Sequence, residues 1–234
     1  MASEDTLVLS AAYYASEAGC QCLVDSARML DIPLQLYGIG EGWPWWREGK
    51  IRRLREEIKA RRRQHQFVLF VDSYDVFFLR NLETMEQRYR SMMSPIVLST
   101  QLTPWPFGAW AERYPETVSP FKYVNCGSVI GEIPVMLRLL DWLDEDFPKW
   151  NSDDQASWTQ AYLEHPEFGI KLDTECELFQ TMSNTDCMIR KSGGFYNFAT
   201  GHWPCLLHYN GRASGMQEDF DWWKAQNEVE SRVR

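Results

Sequence analysis

The stretch FVLFVDSYDVFF, residues 67–78, joins an apolar run to two aspartates three positions apart and then to a second apolar run. Phe67 to Val71 reads as a hydrophobic strand, and the two carboxylates interrupt a run that is otherwise apolar and aromatic. In an extended strand residues three apart point to opposite faces, so Asp72 and Asp75 converge only if the chain turns between them. Burying either carboxylate unpaired would cost roughly several kcal/mol. A turn at the C-terminal edge of the sheet, where open α/β sheets place their ligands, would bring both to one site. Two convergent carboxylates repel unless a cation lies between them. Hard divalent ions accept carboxylate oxygens, and Mn²⁺ also accepts an imidazole. The motif therefore points to a metal that carries a phosphorylated substrate. Aspartates that merely cap a turn or a helix are the alternative reading.

The same alternation of element types extends outward from this strand. TLVLSAAYY reads as a first strand, ASEAGCQCLVDSARMLDI has apolar positions at helical spacing, and PLQLYGIG resumes as a strand. REGKIRRLREEIKARRRQHQ predicts an amphipathic helix with Ile51, Leu54 and Ile58 inward, leading into Phe67. This βαβαβ rhythm implies a parallel sheet. Beyond it come SPIVLST, a Trp- and Pro-rich loop QLTPWPFGAWAERYPE, a strand-like FKYVNCGSVIG and a helix IPVMLRLLDWLDEDF with Pro134 in its first turn. From about Asn151 the pattern is less regular, with short strands such as CLLHYN among polar turns. One α/β domain over residues 1–234, with an irregular C-terminal third, is expected.

With 44% hydrophobic and 14% aromatic residues in 234, the chain can bury one substantial core. Its net charge of −9 argues against nucleic acid or an anionic membrane as partner. Acidic residues stand where a secretory leader would be positive, and no apolar run reaches membrane-spanning length. A soluble, cytoplasmic protein is expected, although a domain excised from a secretory-pathway protein would look the same. The six cysteines form no C-x-x-C pair, which argues against a zinc knuckle and for reduced, buried thiols. Arg61, Arg62 and Arg63 alternate with Glu56 and Glu57 and read as a solvated helix face. No phosphate-loop or serine-hydrolase motif is present, and GIGEG lacks dinucleotide-loop spacing.

Several later segments bear on the aspartates. VNCGSVIG places Asn125 and Gly127 before an apolar strand, NSDDQ supplies Asp153 and Asp154, LDTECELFQ carries Asp173, and CLLHYNGR ends on His208, Asn210 and Gly211. In order, FVDSYDV, AERYPE, DDQ and LFQ resemble the glycosyltransferase domain of the procollagen lysyl hydroxylase and glycosyltransferase family. The resemblance runs from the first strand to Gly211. It implies a GT-A fold, with a mixed, mostly parallel central sheet flanked by helices, that transfers a sugar from a UDP-sugar with Mn²⁺ and retention. Carried over by position, Asp72, Asp75 and His208 would hold the metal, Tyr74 would lie against the nucleotide, and Lys50 would stand near the donor. Trp105, Asp153, Asp154, Asn125, Asn210 and Gly211 would line the sugar and phosphate site, with Asp154 or Asp153 stabilising the reacting centre.

This sequence also departs from the family's pattern. The loop after GIGEGW is short, Tyr209 replaces a glycine and Arg212 a proline, and Arg212 is expected to take over a phosphate contact. HPE, residues 165–167, is a local match to a His-x-Glu iron motif but reads as an ordinary turn. Loop tryptophans Trp43, Trp45, Trp46, Trp105 and Trp110 could grip donor or acceptor, or fold back into the core. UDP-glucose is the expected donor, with a hydroxyl-bearing acceptor that could be a hydroxylysine-linked galactose or another glycan. A UDP-galactose-using transferase, a UDP-sugar hydrolase and a noncatalytic nucleotide- or glycan-binding module remain as alternatives.

Overall fold

The computed structural model describes residues 5–13, 17–42, 47–146, 153–211 and 213–233. Its strand β3 (Phe67–Val71) has all five residues buried, and it lies inside a six-stranded sheet. The other members are β1 (Thr6–Ala11), β2 (Leu34–Tyr37), β5 (Ile96–Gln101), β6 (Tyr123–Glu132) and β7 (Ile170–Leu172), in the order β2-β1-β3-β6-β5-β7. Pairs β1·β2, β1·β3 and β5·β7 are parallel, whereas β6 runs antiparallel to both β3 and β5. The sheet is thus mixed and mostly parallel.

Its two faces are both covered. On one side Leu7, Leu9, Val68 and Phe70 pack against α2 (Arg53–Arg61), α4 (Ile133–Asp146) and α5 (Asp154–Glu164), where Ile51, Leu54 and Ile58 point inward as their spacing predicts. On the other side Val8, Leu69 and Val71 meet α1 (Gln21–Met29) and α3 (Leu82–Ser91). Alternation along each strand, with both faces apolar, produces the unbroken hydrophobic runs seen in the sequence. Between α2 and α4, Arg52 and Arg55 reach Asp144 and Asp141, and Arg61 pairs with Glu57. Of the basic run, Arg61 is thus paired on the helix, and Arg62 and Arg63 are exposed just past its end.

A second sheet holds β4 (Val76–Phe78), β11 (Leu206–His208) and β8 (Phe179–Thr181), in the order β4-β11-β8, and β9 (Met188–Lys191) forms a hairpin with β10 (Gly194–Asn197). These short strands match the irregular C-terminal third expected from the sequence. Two helices there were not anticipated, α5 and the long α6 (Met216–Val233). All six cysteines are buried. No described helix is long and apolar enough to cross a membrane.

Candidate active site

β3 ends at Val71 and β4 begins at Val76, so residues 72–75 form the turn that the two aspartates require. Backbone bonds fix this turn: the Asp72 N–H donates to the Gly127 carbonyl at 2.7 Å, and the Tyr209 N–H donates to the Asp75 carbonyl at 2.7 Å. Ser73 Oγ donates to the Ala11 carbonyl at 2.7 Å, and the Tyr74 hydroxyl donates to the Tyr13 carbonyl. β11 pairs His208 with Val76, which carries the imidazole to the aspartates. His208 Nε2 lies 3.4 Å from Asp75 Oδ2 and 3.7 Å from Asp72 Oδ2. Among the described residues these three form the group able to hold a metal ion, with ligand atoms all within 4.8 Å of one another.

Lys50 lies on a π-helical turn, Arg47–Arg52, that leads into α2. Such turns depart from regular helical spacing and occur often at functional sites. Its Nζ stands 2.6 Å from Asp72 Oδ1 and 4.0 Å from Asp154 Oδ2. Burial favours the neutral amine, but Asp72 and Asp154 outweigh it and hold Lys50 charged, its pKa raised. Burial raises the Asp154 carboxyl despite Lys50. Burial acts the same way on Asp75, but there His208 and Lys50 win and keep the carboxyl below its usual value. The Cys126 thiol, 3.5 Å from Asp154, is pushed well up by burial and by that carboxylate.

Asp153 and Asp154 divide their work. Asp153 is the N-cap of α5, accepting from the Ala156 N–H at 3.3 Å, and its other oxygen accepts from Trp105 Nε1 at 2.8 Å. Asp154, in the first turn, is buried and faces the cleft. Across the cleft Gln101, the last residue of β5, accepts from Asn125 Nδ2 at 3.0 Å and from Asn210 Nδ2 at 3.3 Å. The register of β5 with β6 shifts after Leu98, and this irregularity lets Asn125, Cys126 and Gly127 line the cleft.

A family model of the PLOD GT domain matches residues 2–221. The chain belongs to this family of glycosyltransferase domains. Among its relatives, the procollagen-lysine,2-oxoglutarate 5-dioxygenase of Drosophila melanogaster is 29% identical over 206 residues, covering 80% of this chain and 28% of that protein. The multifunctional procollagen lysine hydroxylase and glycosyltransferase LH3 of Rattus norvegicus is 26% identical over 227 residues, covering 88% of this chain and 30% of that protein. The chain spans less than a third of the length of these two relatives. A crystal structure of a glycosyltransferase involved in the glycosylation of the major capsid of PBCV-1 matches with a TM-score of 0.52 at 11% identity, over 94% of this chain and 99% of that one. At that identity the likeness is one of fold.

The PLOD GT domain fold brings Lys50, Asp72, Asp75, Trp105, Asn125, Asp153, Asp154, His208, Asn210 and Gly211 to one cleft of about 710 Å³. Tyr74 is not part of that lining; it is 40% exposed on the turn between the aspartates. Arg212, Trp43, Trp45 and Trp46 lie outside the described residues. Asp173 is not part of the cleft lining and accepts the N–H groups of Glu177, Leu178 and Phe179. His165 ends α5 and its Nδ1 is 2.8 Å from Glu167, within a turn. Gln101, Gln155, Cys126, Thr103 and Ser183 also line the cleft and were not singled out in the sequence. Gln155 follows the paired aspartates directly, which was the available signal; the other four carry none.

Proposed function

We propose that the protein transfers a hexose, with glucose the first candidate, from a UDP-sugar to a hydroxyl-bearing acceptor, with Mn²⁺ as cofactor and retention at the anomeric carbon. The observation that supports this reading is the convergence of two carboxylates and an imidazole with Lys50 and the buried Asp154 in one cleft. Two carboxylates and an imidazole make a donor set that suits Mn²⁺, so the residues fit the metal. When bound, the ion would neutralise charge on the departing diphosphate. Asp72, Asp75 and His208 would hold it.

The chain's own residues supply the rest. Lys50 is kept cationic by its neighbours, so it can hold a phosphate oxygen as charge builds there. Asp154, facing the cleft from the start of α5, stabilises the positive charge that develops at the anomeric carbon. Asp153, occupied by its cap and by Trp105, instead fixes the indole, whose exposed ring offers an apolar face to a sugar. Asn125, Asn210 and Gly211 contact sugar or phosphate, while Tyr74 at the rim lies against the base and Arg212 against a phosphate. The acceptor is a hydroxyl on a protein, glycan or small molecule, and a hydroxylysine-linked galactose is the first to try.

The test is UDP release from a panel of UDP-sugars with and without Mn²⁺, comparing the parent with Asp75→Ala and His208→Ala. Metal-dependent turnover of one donor, lost in both variants, is expected. Turnover that persists in both variants, or that ignores the metal, would overturn the assignment.

A further inference from the structure

Tyr209 stands between two residues of the cleft, His208 and Asn210. Neighbours in an extended chain point to opposite faces. His208 faces the aspartates, and the Tyr209 ring is buried on the other side, stacked on Phe77 at 6.2 Å between centroids and 19° between planes. Phe77 is two residues from Asp75 and also meets Phe195, Phe220 and Trp223. The last two belong to α6. The Tyr209 hydroxyl donates to Asp219 Oδ2 in the first turn of that helix. Asp219 Oδ1 accepts from Arg190 Nε of β9 at 2.7 Å, and Glu218 accepts from Arg190 Nη2 at 2.9 Å.

We propose that Tyr209, Asp219 and Arg190 form a latch by which α6 positions the end of β11, with His208 on the strand and Asn210 just after it. The route runs through the backbone. The Tyr209 N–H bonds the Asp75 carbonyl, so the residue held by α6 is also the one that joins β11 to the aspartate turn. On the far side, the Met182 N–H bonds the His208 carbonyl at 2.8 Å and the Ser183 N–H bonds Asn210 Oδ1 at 3.1 Å. These bonds hold the strand against β8; its approach to the aspartate turn is set by its pairing with β4, His208 opposite Val76, and by the Tyr209 N–H at the end of that pairing. Releasing the hydroxyl loosens the Tyr209 end of that pairing, where β11 meets the aspartate turn, and with it the geometry of the ligand set. Tyr209 is therefore a positioning residue, acting on His208 and Asp75 without touching donor or metal.

The effect on metal rests on the reading of Asp72, Asp75 and His208 given above, so the test separates the two. Tyr209→Phe keeps the ring stack and removes the hydroxyl, and Asp219→Leu removes its acceptor. Phe195→Leu loosens the same aromatic cluster and leaves the latch intact. Mn²⁺ affinity of the full chain is measured alongside amide exchange at positions 182 and 209 and the melting temperature. Both latch variants should weaken Mn²⁺ binding about 10-fold and speed exchange at 209, whereas Phe195→Leu lowers the melting temperature with Mn²⁺ affinity unchanged. Parent-like Mn²⁺ affinity in Tyr209→Phe, where His208→Ala has lost it, overturns the latch. If the parent and His208→Ala alike bind no Mn²⁺, the metal reading falls, and the latch is then decided by exchange at 209: parent-like exchange in Tyr209→Phe refutes it and faster exchange upholds it.

Discussion

A single methyl group would test how tightly the candidate site is built. A Cβ placed on Gly127 would come within 2.2 Å of His208 Cε1 and 2.7 Å of Asp72 Oδ2, closer than non-bonded atoms approach. One of those side chains must move, and His208 is only 2% exposed with little room to do so. Gly127→Ala should cost about 1–3 kcal/mol in stability and cut donor turnover by about 10²-fold, the effect of an ångström's misplacement. Gly108→Ala, with open space around it, serves as the control and should leave both within error. Denaturant melts and UDP release decide; turnover within twofold of the parent in Gly127→Ala would show that neither side chain is needed where it stands. At this scale the aspartates were legible because charge in an apolar run demands a partner. Gln101 was not, because a glutamine closing the strand IVLSTQ has no spacing or charge to mark it; its role comes from two asparagines that are distant in sequence.

Of the two helices packed on the same face, α2 was legible and α5 was not, and the difference is a wet face. α2 and the π-helical turn before it show inward Ile51, Leu54 and Ile58 against a charged surface, and their spacing predicts a helix. α5 buries Asp154 through Thr159 and Ala161, so it has no amphipathic stripe to read. The β7–β8 connection is held by a buried acid. Asp173 accepts three backbone N–H groups from residues 177–179, yet burial outweighs those donors and lifts its carboxyl to about 6. A carboxyl whose pKa is higher folded than unfolded binds its proton more tightly in the fold. That contribution is complete below about pH 4 and is lost as pH rises through 6, a change of about 3 kcal/mol. Asp173→Asn lacks the titration and sets an amide NH₂ or O against donors that want a carboxylate, costing about 1–3 kcal/mol. The parent's advantage over Asp173→Asn should accordingly be larger at pH 4 than at pH 7. Chemical denaturation of both proteins across that range checks this, and a gap that widens with pH refutes it.

At the scale of the molecule, the cleft is where separate parts of the fold meet. The main sheet supplies Asp72, Gln101 and Asn125, the second sheet supplies His208, and Lys50 and Asp154 come from the two helical segments packed on one face. A ligand that joins these groups binds the folded chain and not the unfolded one, so it must stabilise the whole. At 100 times its dissociation constant it adds about 2.7 kcal/mol, which for a chain of 234 residues is a rise of about 5–10 °C in melting temperature. Lys50 stands 2.6 Å from Asp72 and offsets its charge before any ion is bound. Mn²⁺ alone should therefore give a modest rise, and UDP alone less still, because the diphosphate then meets two carboxylates with Lys50 as their nearby ammonium. Mn²⁺ and UDP together should exceed the sum of the two, because each covers the charge that repels the other. Asp75→Ala should abolish the cooperative part and keep the apoprotein's own melting temperature within a few degrees. Thermal melts in four conditions, buffer, Mn²⁺, UDP and both, measure this directly. A UDP shift as large without Mn²⁺ as with it would mean that Lys50 and the asparagines hold the nucleotide unaided, and the two aspartates would need another explanation.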